Sequence, residues 1–387
     1  MENILDYLDW RGDLDFARDG LNEVDNLILS VLSYLDWEGI VPPELGRKPI
    51  PLSAAAERFL ARMDRASPAW KNPFFKDLPE LLGKAAASAR YRVLRLSGYV
   101  NRIDHEKAEQ FSAVVFSYKG RYHFIAYRGT DDSLAGWKED FHMSFMQEVP
   151  AQRQAVDYAQ KAMGRLWGRF FLGGHSKGGN LAVYAASHLP PRMRSRILGV
   201  YSNDGPGFQP EVIRSEGYQD MLGRIHTLIP KSSVVGMLLE HSEDYKVVDS
   251  SETGIMQHNA FSWLVRGAQF VEHPGLTDAS LKFNEVVRAW LDKVPREQRA
   301  EFVNAVFSVI QSTGARSIHD LSKEMLAAAS AVITTYQHMD PQTRSHLKKA
   351  VELFFAENQR VLKRSLSADI GALRERVKKK IIGAVKV

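Results

Sequence analysis

Cysteine is absent from all 387 residues. Disulfides, thiolate catalysis and zinc–sulfur sites are therefore excluded, and a chain this long can bury a sizeable core without such staples. Long apolar runs are missing as well. No segment reaches the roughly 18 uninterrupted apolar residues that a spanning helix needs. The opening MENILDYLDWRGDLDFARDG is acidic, with neither a basic nor an apolar leader region, so no signal peptide is expected and a cytoplasmic location is. Charge of one sign is scarce too. The formal net charge is +5, and much of the excess lies in the tail VLKRSLSADIGALRERVKKKIIGAVKV. That weighs against a nucleic-acid partner and points at most to an acidic surface.

What is present is the balance of a globular protein, with 44% apolar and 25% charged residues. Residues 1–90 read as a helical segment packed on a core. Within them Val24, Leu27, Ile28, Val31, Leu32 and Leu35 keep helical spacing. Two further helices are expected around AAAERFLARM and DLPELLGKAAASAR. Residues 91–275 change texture. YRVLRLSGYVNRID, FSAVVFSYKG and RYHFIAYRG predict strands, the last two joined in a hairpin at Lys119-Gly120. Helix and strand then alternate through AQRQAVDYAQKAMGRLWG, RFFLGG, KGGNLAVYAASHL, RILGVYSND and RIHTLIP, which predicts a mainly parallel sheet flanked by helices. Residues 276–387 read as a helical extension. It ends in a basic amphipathic stripe of Ile370, Leu373, Val377, Ile381 and Val385, suited either to packing on other helices or to peripheral contact with anionic membrane.

The chemistry concentrates in FFLGGHSKGGNL. Gly174-His175-Ser176-Lys177-Gly178 fits G-x-S-x-G, with a strand before it and a helix after. A serine hydroxyl becomes a useful nucleophile when it is exposed, aimed at a base and close to oxyanion donors. A sharp strand-to-helix turn exposes it, and glycines two residues to either side remove the clash that side chains would cause. The helix N-terminus puts the Lys177 backbone N–H where an oxyanion would form. The Lys177 side chain is expected in solvent, and His175 beneath the turn.

A base is sought downstream. His188 ends the helix behind the serine, His226 lies in a strand, and His319, His338 and His346 belong to the helical tail. That leaves His241, His258 and His273, of which His258 stands in a loop after the last strand-like segment, YKVVDS. For the acid, Asp204 follows VYSN at a strand end beside the nucleophile strand, while Asp249, Asp244 and Glu240 stay in contention. Asp204 also suits the turn DGPG without any catalytic role. The carboxylate pair Asp131-Asp132 lacks a histidine at ligand spacing, so helix capping is a plainer use than metal binding, and no cofactor is expected.

These motifs resemble known families. IAYRGTDDSLAGWKEDF together with GHSKGG is similar to the class 3 (fungal-type) lipases. That resemblance implies an oxyanion contact at Thr130, with Arg128 and Trp137 in supporting roles. The chain as a whole resembles a bacterial family of lipase-like α/β-hydrolases over roughly residues 3–290, through LDYLDWRGDLDF, NEVDNLILSVLSYLDWEGIVP, SNDGPGF and QHNAFSW. It implies an α/β-hydrolase fold and also points to His258 as the base. One departure stands out. Where class 3 lipases carry their aspartate, in an N-x-x-D-x-V segment, this chain has IPKSSVV, with serine in its place. The expectation is a serine ester hydrolase of the esterase or lipase-like kind, acting on a small-molecule or lipid ester through Ser176, His258 and Asp204. Thioesterase or acyltransferase chemistry would use the same groups. A non-catalytic binding or membrane-associated relative is the rival, supported by that serine.

Overall fold

The computed structural model describes residues 2–304, apart from 105–108, 132–133, 144, 296 and 302, together with 307, 341 and 345. Eight strands cross one sheet in chain order: β1 (Ile50–Pro51), β2 (Arg95–Asp104), β3 (Glu109–Tyr118), β4 (Tyr122–Tyr127), β5 (Arg169–His175), β6 (Ile197–Asn203), β7 (Ile225–Pro230) and β8 (Tyr245–Val248). The first four pair antiparallel. From β4 to β8 every pairing is parallel. The β3–β4 hairpin turns at Lys119 and Gly120, both with positive φ, where the sequence predicts it.

Alternation along the strands builds two cores. Val114, Phe116, Phe124 and Ala126 face one layer, while Ala113, Val115, Ile125 and Tyr127 face the other. Helices α1 (Ile4–Arg11), α2 (Glu23–Leu32), α3 (Leu52–Arg62) and α4 (Leu78–Ala87) cover the first layer. Helix α5 (Leu134–His142) follows β4, and α6 (Pro150–Arg165) and α7 (Lys177–His188) cover the second layer. A mainly parallel sheet between two helical layers, with the motif serine at a β5–α7 corner, is an α/β-hydrolase fold.

Local chemistry explains why α2 sits where it does. Asn22 caps it, accepting from the Val24 and Asp25 N–H groups, and Asp25 reaches back to the Asn22 N–H. All six apolar positions that set its period are buried. Asp25 is itself fully buried, held by Arg90 at 2.5 Å and by the Tyr7 and Tyr91 hydroxyls. This buried pair fastens α2 to the segment after α4. Further along, Asn26 and Asn203 exchange side-chain hydrogen bonds of 2.8 and 3.1 Å, and Asn203 also donates to the Gly174 carbonyl. Helix α2 is thus bonded to the end of β6 and, through Asn203, to the nucleophile strand β5.

The NEVVRAWLDK stretch lies in a helix, Asp278–Lys293. Most of the helical extension expected beyond it, including the basic tail stripe, lies outside the described residues. No helix among the described residues is long and apolar enough to cross a membrane.

Candidate active site

Ser176 occupies the corner between β5 and α7 with φ 58° and ψ −134°, a backbone state unusual for a residue with a side chain. The turn is as tight as the motif requires. A Cβ on Gly174 would stand 2.2 Å from the Gly178 carbonyl carbon, and one on Gly178 would stand 2.2 Å from the Tyr127 carbonyl oxygen. The Ser176 side chain remains partly exposed while its neighbours on either side are buried. Being at the N-terminus of α7, it looks onto first-turn N–H groups that have no intrahelical acceptor.

His258 is brought to this corner. Its ring centroid lies 4.6 Å from that of His175, the residue immediately before Ser176. Its Nδ1 lies 2.6 Å from Asp204 Oδ2. Asp204 is fully buried at the end of β6, with φ 51°, and its N–H donates to the Leu228 carbonyl. Its other oxygen, Oδ1, accepts from Ser233 Oγ at 2.5 Å and from the Gly236 N–H at 3.1 Å. Ser233 belongs to the IPKSSVV segment, where the lipase pattern has an acid. Here its hydroxyl supports a carboxylate that arrives from the neighbouring strand. Among the described residues, neither Ser176 Oγ nor His258 Nε2 has a hydrogen-bond partner, and the two are not bonded to each other. Such bonds are commonly open before substrate binds.

The Lys177 side chain is not in solvent, contrary to the expectation from sequence. Its Nζ is buried, 2.9 Å from Glu139 Oε2 on α5 and 3.1 Å from the Gln110 carbonyl. Glu139 also accepts the Gln110 and Ala151 N–H groups. Burial of a lysine is tolerable only with such a partner, and this one is 38 residues away in the chain. Next to Glu139, Asp140 Oδ2 accepts the Thr130 hydroxyl at 2.5 Å. Burial pushes Asp140 up to about 6, against the pull of Lys177 3.8 Å away. Arg128 holds Asn101 at 2.9 Å and Asp131 at 3.1 Å, which ties the loop after β4 to β2. The Trp137 side chain and Asp132 lie outside what the structure describes.

With a strained serine, a His–Asp pair and the two anchored segments at one end of the sheet, comparison with known proteins becomes informative. The Mbeg1-like family model matches residues 85–308, more than half of the chain. The chain belongs to the Mbeg1-like family. Among solved structures, the crystal structure of M37 lipase is similar at 16% identity and a TM-score of 0.34, covering 55% of this chain and 69% of that one. No curated protein matches. The family and the sheet topology together make this Mbeg1-like chain lipase-like in its fold.

The other candidates in this Mbeg1-like chain are engaged elsewhere. His241 bonds Glu243 at 3.0 Å and the Gly236 carbonyl at 2.8 Å, so both ring nitrogens are occupied. His273 meets the Gly275 carbonyl, and Asp249 meets Lys231 at 2.5 Å. Asp244 and Glu240 are exposed. His188 stacks on Tyr184, and His226 on Tyr201. No group of carboxylates and histidines among the described residues has metal-binding geometry. Sequence reasoning missed Glu139 and the supporting role of Ser233. Neither carries a local signal, because each acts across a large separation in the chain.

Proposed function

We propose that this protein is a serine carboxylic ester hydrolase, related in mechanism to the class 3 lipases, with Ser176 as nucleophile, His258 as base and Asp204 as its orienting acid. The observation that carries the reading is the 2.6 Å contact between His258 Nδ1 and Asp204 Oδ2 beside the strained serine turn. A carboxylate on Nδ1 keeps the proton there and leaves the Nε2 lone pair free to act as base. Ser176 Oγ adds to the acyl carbon and its proton passes to Nε2. The tetrahedral intermediate collapses, and the departing alkoxide takes that proton. Water then adds to the acyl-enzyme by the same route, releasing the acid and restoring Ser176. No cofactor is needed.

The oxyanion would be held by the Lys177 N–H at the start of α7 and by Thr130. The Thr130 hydroxyl proton is directed at Asp140, so its backbone N–H is the donor it offers. A small-molecule or lipid ester in a cytoplasmic setting suits this machinery, and the basic sequence of the tail suits contact with an anionic membrane. Nucleic acid has no part in the reading.

A second reading, a non-catalytic relative that keeps the fold for binding, draws on the open Ser176–His258 pair. One experiment separates the two. A fluorophosphonate probe should label the wild type, with labelling lost in Ser176→Ala and strongly slowed in His258→Ala. A wild type that is never labelled ends the hydrolase reading. With labelling in hand, p-nitrophenyl esters of rising chain length define the acyl preference.

A further inference from the structure

We propose that Tyr34, supplied by the N-terminal segment, is a positioning residue for the hydrolytic site, acting through His175 on the loop that carries His258. The proposal rests on the hydrolase reading for its catalytic consequence, though not for its geometry.

Tyr34 stands two residues beyond the end of α2. Its hydroxyl lies 3.1 Å from His175 Nδ1, and His175 Nε2 lies 2.8 Å from the His258 carbonyl oxygen. Proton positions in this chain follow from the acceptor at its end. A carbonyl oxygen only accepts, so Nε2 carries the hydrogen. In a neutral ring Nδ1 is then the lone-pair nitrogen, and Tyr34 must be the donor. The ring stays neutral because burial, with His258 alongside, pushes its pKa down to about 3. The Tyr34 hydroxyl also lies against Gly129. The approach is so close that a Cβ on Gly129 would stand 2.1 Å from the hydroxyl oxygen.

The result is a relay with one direction, from Tyr34 to His175 to the His258 carbonyl. It joins the N-terminal segment, the last residue of β5 and the base loop, and the contact with Gly129 sets the segment after β4 against the same hydroxyl. The Tyr34 hydroxyl also reaches the His175 carbonyl at 3.4 Å, so both acceptors open to its proton belong to His175. A second grip lies close by. Asn259 Nδ2 donates to the Pro73 carbonyl at 3.1 Å, the Phe75 ring packs 5.4 Å from Tyr34, and the Phe74 ring lies 6.3 Å from His258. The N-terminal segment therefore holds both His258 and the residue after it. Neither grip touches Asp204, whose supports come from Ser233 and Gly236.

The test uses the full chain with Tyr34→Phe, which keeps the ring and deletes the hydroxyl. Ring ¹⁵N NMR of the wild type should show His175 protonated only at Nε2 and untitrated from about pH 5 to pH 9. In Tyr34→Phe the same signals should report a mixture of tautomers. Turnover of a p-nitrophenyl ester and the fluorophosphonate labelling rate should fall on the order of tenfold, in kcat with KM unchanged, because a misplaced base weakens only the reacting geometry. His175→Phe should give a similar loss, and the double variant should be no worse than His175→Phe alone. Wild-type kcat together with unaltered His175 signals in Tyr34→Phe would overturn the proposal, as would losses that multiply in the double variant. Should the wild type prove inert to probe and esters, the hydrolase reading falls, and the tautomer measurement still decides whether the relay exists.

Discussion

Removing the Lys177 ammonium tests how the corner is held together. Lys177 Nζ and Glu139 Oε2 lie 2.9 Å apart, with both side chains fully buried. Two unit charges at that separation attract by about 6 kcal/mol at an effective dielectric of about 20. Desolvation of the pair offsets most of this, so the intact bridge adds little net stability. Breaking it from one side is different. In Lys177→Met the Glu139 carboxylate stays buried and loses its counter-charge. It keeps the Gln110 and Ala151 N–H donors, which moderate the penalty, while the Gln110 carbonyl loses the ammonium. A cost of about 3–4 kcal/mol is expected. Urea unfolding followed by tryptophan fluorescence reads it directly. In Lys177→Met/Glu139→Leu neither charge remains, and the double variant should recover at least about 2 kcal/mol relative to the sum of the single variants. A loss under about 1 kcal/mol in Lys177→Met, or additive single effects, would refute the buried-pair argument and return the lysine to solvent.

Three further outcomes can be checked. Asp140 has its folded pKa raised to about 6 by burial, against an ordinary value of 3.8. Its protonated form is therefore the favoured one in the fold. The stability this brings is complete below about pH 4 and disappears as pH rises through about 6. Asp140→Asn should raise stability at pH 8 by about 1–2 kcal/mol, discounted because the side chain is 28% exposed, and leave it unchanged at pH 4. An equal effect at both pH values would contradict this. Ser233→Ala removes one of two donors to Asp204 Oδ1, so ester turnover should drop several-fold while the free energy of unfolding falls by no more than about 1 kcal/mol. Unchanged turnover would show that Ser233 does not support the acid. Asn26→Leu leaves the buried Asn203 Oδ1 without its donor, while Nδ2 keeps the Gly174 carbonyl, and should cost about 1–3 kcal/mol in chemical unfolding; no loss would mean that water or another group takes its place.

The helical period of α2, the hairpin at Lys119-Gly120 and the glycine-flanked turn at Ser176 were all legible in the sequence. Each expresses a constraint carried by neighbouring residues: which face is apolar, which backbone state glycine permits, which atoms collide in a tight bend. The carboxylate that meets His258 was not legible in the same way. Asp204, Asp249, Asp244 and Glu240 all stayed in contention, and the sheet decides by bringing β6 beside β5 and folding Ser233 and Gly236 onto Asp204. The direction of the Lys177 side chain failed for a related reason. A lysine next to an exposed serine reads as solvated, because lysine is buried only when paired, and its pair comes from a helix on another loop. Tyr34 is the clearest case, since 141 residues separate it from the histidine it bonds. Sequence on its own determined what is set within a few residues, namely the elements and the bend that presents the serine. Tertiary structure alone decided which buried charges and hydroxyls meet around that bend, because electrostatic partners are chosen by distance in space and not along the chain.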